Sequence, residues 1–392
     1  MEKRTNLLTN ALIWFGVAVS VSEIEAGLEI GVASPAGGIW LPLILGHVLG
    51  GLMLFAVGLI GAKVRLNAME TTVSTYGKYG SKFFASLNLL QLVGWIAVLN
   101  AQGAMALGGL NVPLSMPIVC VFLAVLIAVW IFIGLKNASK ISMVTMSLLA
   151  VLLAVLTVKL FGAMVVGAEG GAAQGAASSA HEALTFWQIF EISIAMPLSW
   201  LPVISDYTKD VEKPFKATAV SAAVYTLASF WMYFVGIQIA GTGSDIAGAI
   251  LLAGLGIPGV IIVVLSTVTT NFLAANSAGE SAKSIYGKLN PKAVGVVVCA
   301  LSTVLAISGI VDHYIHFLYM IASVFAPMAA VLLVAFFAVK EHLNKKWFWA
   351  LNLVAWLAGF IVYQVAGGSP VGPTITSLAV SAVITLLAKL KK

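Results

Sequence analysis

Residues 14–33 read WFGVAVSVSEIEAGLEIGVA. A run of about twenty residues is long enough to cross a bilayer, yet this one carries Glu23, Glu25 and Glu29. An ionised carboxylate at the centre of a spanning helix costs roughly 2.5–3.5 kcal/mol on insertion scales. Three in one span persist only where they face a polar cavity, a cation or a bound solute. Ser20 and Ser22 precede the glutamates, and Gly27 and Gly31 follow. That pattern predicts a local break in the helix, which presents backbone carbonyls and amides to whatever fills the cavity. The stretch is therefore expected to line a transport site; the blander reading is a hydrated groove without a specific ligand.

Working outward, the 392 residues are 60% hydrophobic and only 9% charged, with a mean hydropathy of +1.04. A soluble chain carries about a quarter charged residues. Apolar runs near twenty residues recur along the whole length, so the chain is expected to be an all-α polytopic membrane protein. No hydrophilic stretch is long enough for a separate domain. Cys120 and Cys299 both lie in apolar runs, which argues against disulfides and Cys-based metal sites. The first run passes through its glutamates without a small-x-small cleavage site, so it reads as an uncleaved first helix.

Twelve spans are predicted: 10–33, 39–61, 82–108, 114–134, 141–166, 186–206, 215–240, 258–285, 292–310, 313–339, 346–366 and 373–390. Basic residues gather before span 1 and after each even-numbered span, from Lys3 and Arg4 to Lys391 and Lys392. Only Lys159 is out of step, and it can snorkel outward. By the positive-inside rule both termini are cytoplasmic and the chain is a multi-pass protein of the cell membrane. This placement accounts for the net charge of +6 without nucleic acid.

Residues 167–181, rich in Gly, Ala and Ser, read as a flexible external connection. They divide the chain into a first repeat at 1–166 (spans 1–5), a second at 186–339 (spans 6–10) and two further spans at 345–392. Five is odd, so the second set inserts inverted. The pattern Asn-x-x-Gly-x-x-Ala at Asn100, Gly103 and Ala106 recurs at Asn276, Gly279 and Ala282, an offset of 176 residues. The match is faint alone; with the topology it favours an inverted-repeat transporter.

At that offset span 6 is the counterpart of span 1. Pro197 and Pro202 flank the pair Ser199-Trp200, and each proline removes a backbone donor, so this span too is expected to be interrupted. Paired interruptions point to a binding site. Glu191 lies before the break and is expected to face an entrance vestibule. In span 3, Trp95 sits mid-membrane beside Gly94, where an indole face suits stacking on a flat heteroaromatic solute, although a lone Trp is as often core. In span 8, Ser266, Thr269 and Thr270 share one helical face. Such hydroxyls, with carbonyls of a broken neighbour, offer neutral oxygens to a small hard cation; alternatively they bond back to their own helix. Glu280 is expected to pair with Lys283. His313 and His316 lack further metal ligands. No phosphate-binding loop, nucleophile elbow or metalloprotease pair is present, so the reading is a transporter and not an enzyme, without organic cofactor or obligate protein partner.

The order Gly61-Ala-Lys63, Val93-Gly-Trp95, Ile204-Ser-Asp206-Tyr-Thr-Lys209 and Thr269-Thr-Asn271 resembles the nucleobase:cation symporter family 1, over most of the chain. Within it the chain is most similar to the hydroxymethylpyrimidine branch, linked to thiamin precursor salvage. The resemblance implies the LeuT-type five-plus-five inverted repeat with two further helices. It implies sodium as coupling ion, held by hydroxyls of Thr269 and Thr270, the carbonyl of Ser266 and carbonyls near Gly16 and Ser20. It also implies Trp95 as the stacking residue. The family's span 6 aromatic falls on Pro197 here, passing that role to Trp200, and its span 8 contact falls nearest Ala275, beside Asn276. The span 1 glutamates are not part of the general family pattern. Glu23 or Glu25 is expected to meet an aminopyrimidine, with Asn100 or Asn276 serving other edges and Ser199 at the break. Sodium or proton coupling, another nucleobase, an amine or an amino acid as substrate, and a channel or sensor remain as alternatives.

Overall fold

Inside lipid every backbone amide needs a partner within its own chain, which favours helices. The computed structural model describes residues 4–34, 38–137, 139–169 and 183–391. Among them the only extended pairing is a single bridge between Thr5 and Val211. Span 1 is two helices, α1 (Leu7–Ala18) and α2 (Val21–Ala33), meeting at a bend of 50°. α3 (Trp40–Val64) returns, α4 (Ala68–Thr71) makes one turn, and α5 (Val73–Gly109) crosses again. α5 begins nine residues before the expected start at 82 and bends at Gly77, whose φ of 71° suits glycine. α6 (Met116–Asn137) and α7 (Ser139–Glu169) complete the first set. Residues 167–169 thus continue α7, and residues 170–181 of the expected connection lie outside the described residues.

Span 6 is interrupted as its prolines require. α8 (Phe186–Ser199) stops after 14 residues, and α9 (Ile204–Thr208) resumes beyond Val203. Then follow α10 (Pro214–Thr242), a short α11 (Ile246–Leu252), α12 (Gly256–Ile285) and α13 (Pro291–Ile307). α13 ends three residues before the expected 310, and a 3-10 turn, Ile310–His313, leads into α14 (Tyr314–Phe337). α15 (Lys346–Val365) and α16 (Pro373–Leu386) close the chain. Among the described residues nine helices are long and apolar enough to span, or ten with the bent pair counted as one. The shorter α8 and α13 bring the total to the twelve expected.

The helices pack reciprocally. α3 lies on α8 as α10 lies on α1 and α2, while α5 meets α13 as α12 meets α6. α15 and α16 pack on each other and on α14, outside this pattern. The outer helices are apolar all round: α6 turns Ile118, Val121, Val125, Val129 and Phe132 outward, where lipid is their natural solvent. Closeness is greatest between α2 and α10. A β-carbon added to Gly27 would lie 2.6 Å from the Tyr233 Cα, so this contact is backbone against backbone.

Candidate functional site

The break in span 1 is a helix restart. Ser20 has extended backbone and its Oγ accepts from the Glu23 amide at 3.2 Å, so it caps α2. The last turn of α1 retains carbonyls without helical partners, and one of them, Gly16, accepts from the Thr270 hydroxyl of α12 at 3.0 Å. That bond joins spans 1 and 8 where a cation was expected. Of the five residues predicted there, Gly16 and Thr270 meet directly. Thr269 Oγ1 donates back to Leu265 O at 2.7 Å and to Ser266 O at 3.3 Å, and Ser266 Oγ donates to Val263 O at 3.1 Å. A donating hydroxyl keeps its lone pairs, so the oxygens present remain neutral donors suited to a hard cation.

The glutamates of α2 part company. Successive residues turn by about 100°, so Glu23 and Glu25 point to different faces while Glu25 and Glu29 share one. Glu23 is buried and satisfied: Tyr225 OH donates to one oxygen at 2.9 Å and Ser229 Oγ to the other at 2.7 Å. Ser229 lies 3.1 Å from Nε2 of buried His47, whose Nδ1 is 2.7 Å from Ser193 Oγ. A chain of polar groups thus runs from α2 through α10 and α3 to α8, turned away from the open cavity. Glu25 and Glu29 instead line a cavity of about 590 Å³ with Gln102, Asp245, Asp312 and Tyr314. It lies at the end of the bundle opposite the termini. Buried Tyr314 lines its inner side, the phenol donating to the carbonyl of Ser22 in the first turn of α2 at 3.0 Å.

The remaining predicted residues scatter around this centre. Trp95 is buried behind Tyr314, edge-on to it at 6.3 Å and to Phe317 at 5.3 Å. Asn100 faces α6 and α13, donating to Cys120 O at 3.1 Å. Ser199 donates to Met196 O at 2.6 Å, while its own carbonyl accepts from Gln91 at 2.9 Å. Asn276 approaches Tyr207 OH at 3.4 Å, beyond the cavity toward the termini. Trp200 packs on Trp14 with ring centroids 6.1 Å apart, and Tyr207 and Tyr225 meet the other edges of Trp14 at 6.1 and 5.8 Å. These four rings, all buried, pack together on the terminal side of the break.

Below them Lys209 Nζ pairs with Glu280 at 2.8 Å. This corrects the expected Glu280–Lys283 pair: Glu280 faces α9, while Lys283 is exposed on another side of α12. Burial works against the Lys209 charge, but the hydrogen bond and attraction of Glu280 outweigh it and hold its pKa above the ordinary value. Arg65 ties the same end, donating to the carbonyls of Lys209 and Val211 at 2.9 and 2.6 Å. Glu191 accepts from the amide of Thr374 at 2.9 Å, from the Thr374 hydroxyl and from Tyr363 OH at 3.4 Å, fastening α8 to α16. It also lines a second cavity of about 550 Å³ with Trp187, Tyr319 and Tyr363, separate from the one that Glu25 and Glu29 line.

Two participants, His47 and Gln102, escaped the sequence reading. His47 stands in the apolar run of α3, where an ionisable residue is itself a signal. Gln102 lies two residues from Asn100 and accepts from the Ser22 hydroxyl through Oε1. Asn271, which the sequence offered only as part of the motif Thr269-Thr-Asn271, is fully buried with neither amide atom paired. Among the described residues no group of three or more His, Cys, Asp or Glu side chains is placed to hold a metal ion.

No protein-family model matches the chain. It is similar to the cytosine permeases of Escherichia coli K12 and O157:H7, each 22% identical over 387 residues, covering 93% of this chain and 90% of the permease. Its fold is similar to that of Mhp1, a nucleobase-cation-symport-1 family transporter, in a closed conformation with bromovinylhydantoin bound. The TM-score is 0.78 at 16% identity, over 99% of this chain and 93% of Mhp1. A Na+-coupled sialic acid symporter in its substrate-bound outward-open state gives a TM-score of 0.69 at 14% identity, over 98% of this chain and 88% of the symporter. The fold is the LeuT-type transporter fold. The chain is accordingly a multi-pass membrane protein with five-plus-five helices and two more, and not an enzyme.

Proposed function

We propose that the chain is a secondary active symporter that imports a pyrimidine-type base by alternating access, with sodium as the coupling ion and hydroxymethylpyrimidine as the leading candidate substrate. The similarity to cytosine permeases across 93% of the chain supports the nucleobase class. The observation that carries the mechanism is the Gly16–Thr270 junction, set at the break and below a cavity of about 590 Å³. A hard cation bound there would draw together the Gly16 carbonyl, the Thr270 and Thr269 hydroxyls and the Ser266 carbonyl, with Ser20 at the α2 cap. It would thereby favour the state in which spans 1 and 8 are joined. A solute that binds that state better is then coupled to the ion. The basic residues at the terminal end support cytoplasmic termini in the cell membrane and an outward cavity. Residues 1–166 and 186–339 form the two repeats on this reading, with 345–392 added.

The test is uptake of labelled hydroxymethylpyrimidine into proteoliposomes, with and without an inward sodium gradient, with unlabelled cytosine and thiamin as competitors. Sodium-dependent uptake blocked by unlabelled hydroxymethylpyrimidine alone is expected. Uptake under a pH gradient alone would discard the sodium site. That second coupling has its own observation, the fully enclosed Glu23–Ser229–His47 chain, whose two titratable groups are bridged by one hydroxyl.

A further inference from the structure

The cavity at the open end is acidic in a chain that is not. Lys and Arg outnumber Asp and Glu by 21 to 15 overall. The cavity nevertheless gathers Glu25, Glu29, Asp245 and Asp312 with no Lys or Arg among its described lining, and its basic groups are His313 and His316. It narrows inward: Glu29, Asp245 and Asp312 are exposed, Glu25 is half-buried, and Gln102 and Tyr314 are buried. A cleft with one sign of charge and low-dielectric walls concentrates ions of the opposite sign and raises their rate of arrival. Charge alone does not define a ligand, but Gln102 adds to it. The side chain is 5% exposed, its Oε1 is taken by Ser22, and its Nε2 amide has no partner. A buried donor of this kind costs about 1–3 kcal/mol unless met by an acceptor.

The two features together restrict the ligand. Carboxylates call for positive charge and N–H donors, whereas the Gln102 amide calls for an acceptor beside them. A bare metal ion supplies no acceptor, and among the described residues no three His, Cys, Asp or Glu side chains converge to hold one. The volume also suits a ring rather than an ion. We propose that this cavity is a capture site for a small planar organic cation, a cationic aminopyrimidine whose amino N–H edge meets Glu25 and whose adjacent ring-nitrogen acceptor meets Gln102. Glu29, Asp245 and Asp312 serve as the attracting rim. The inference deepens the transport reading by assigning the substrate a charge, and it rests on that reading only for the direction in which the ligand moves on.

The experiment is equilibrium binding to the full chain, purified in detergent, at pH 8. The probes are 4-amino-1,2-dimethylpyrimidinium, a permanent cation, and neutral 4-amino-2-methylpyrimidine. The cation is expected to bind about tenfold tighter, the scale of one charge-assisted hydrogen bond, with a preference that shrinks as salt rises. Glu25→Gln should abolish the preference and Glu25→Asp retain part of it. Gln102→Leu should weaken both probes. Thermal unfolding of each variant separates these effects from misfolding. Equal binding of the probes, or a preference that survives Glu25→Gln, would overturn the proposal. So would displacement of the cation by calcium at micromolar concentration, which would mark an inorganic-ion site. Binding does not require transport. A cation preference without pyrimidine uptake keeps this inference and discards the substrate reading; uptake without the preference does the reverse.

Discussion

The two ends of the helix bundle are built from opposite chemistry. Toward the face away from the termini, Glu25, Glu29, Gln102, Asp245 and Asp312 surround open space. Toward the termini, Trp14, Trp200, Tyr207 and Tyr225 interlock edge to face, and the Lys209–Glu280 pair and Arg65 bind the loops beneath. Both arrangements meet at the interruptions of spans 1 and 6. The polar end uses the restart of α2, which aims side chains into a cavity. The apolar end uses the stop of α8, which places Trp200 against Trp14. One chain break thus presents polar groups on one side while its counterpart packs aromatic rings on the other. A cycle that moves a solute must invert this asymmetry.

The largest effect is expected at the aromatic cluster. Trp14→Ala removes the ring that the other three contact, and is expected to cost about 3–5 kcal/mol if the site cannot collapse, read as a large drop in detergent thermal stability and loss of uptake. Next is the packing that lets α2 restart. Gly27→Ala sets a β-carbon against the Tyr233 backbone and should cost about 1–3 kcal/mol, lowering thermal stability and impairing uptake. Thr270→Ala removes the hydroxyl joining α12 to Gly16; it should raise the sodium concentration for half-maximal uptake about tenfold, with little effect on cation-probe binding. Lys209→Met, at a part-exposed ion pair, should cost no more than about 1 kcal/mol and shift accessibility toward the terminal end about threefold or less.

Much of this was legible in the sequence because membrane burial makes polar residues conspicuous. The glutamates and Ser20 marked the span 1 break, and Pro197 and Pro202 marked that of span 6. What periodicity could not give was direction. Glu23 and Glu25 stand two residues apart on a helix whose other faces are all buried, so nothing local says which one α10 will claim. Tyr225 and Ser229, more than 200 residues away in the chain, decide it. Asn100 and Gln102 present the same difficulty: a small rotation of α5 sends one to α6 and α13 and the other to the cavity. Glu280 found Lys209 rather than its neighbour Lys283 because the choice depends on where α9 lands. The hydroxyl face of α12 was visible, but its bond to Gly16 required the fold.

Thiol accessibility tests the alternating-access claim most directly. In a Cys120→Ala, Cys299→Ala background, Val311→Cys reports on the cavity and Asn276→Cys on the sealed end; both native cysteines are buried and dispensable on this reading. With sodium and no substrate, a water-soluble maleimide should label Val311→Cys rapidly and Asn276→Cys slowly. Removing sodium and adding substrate from the terminal side should reverse the order. Labelling rates that keep the same ratio in every condition would contradict the account.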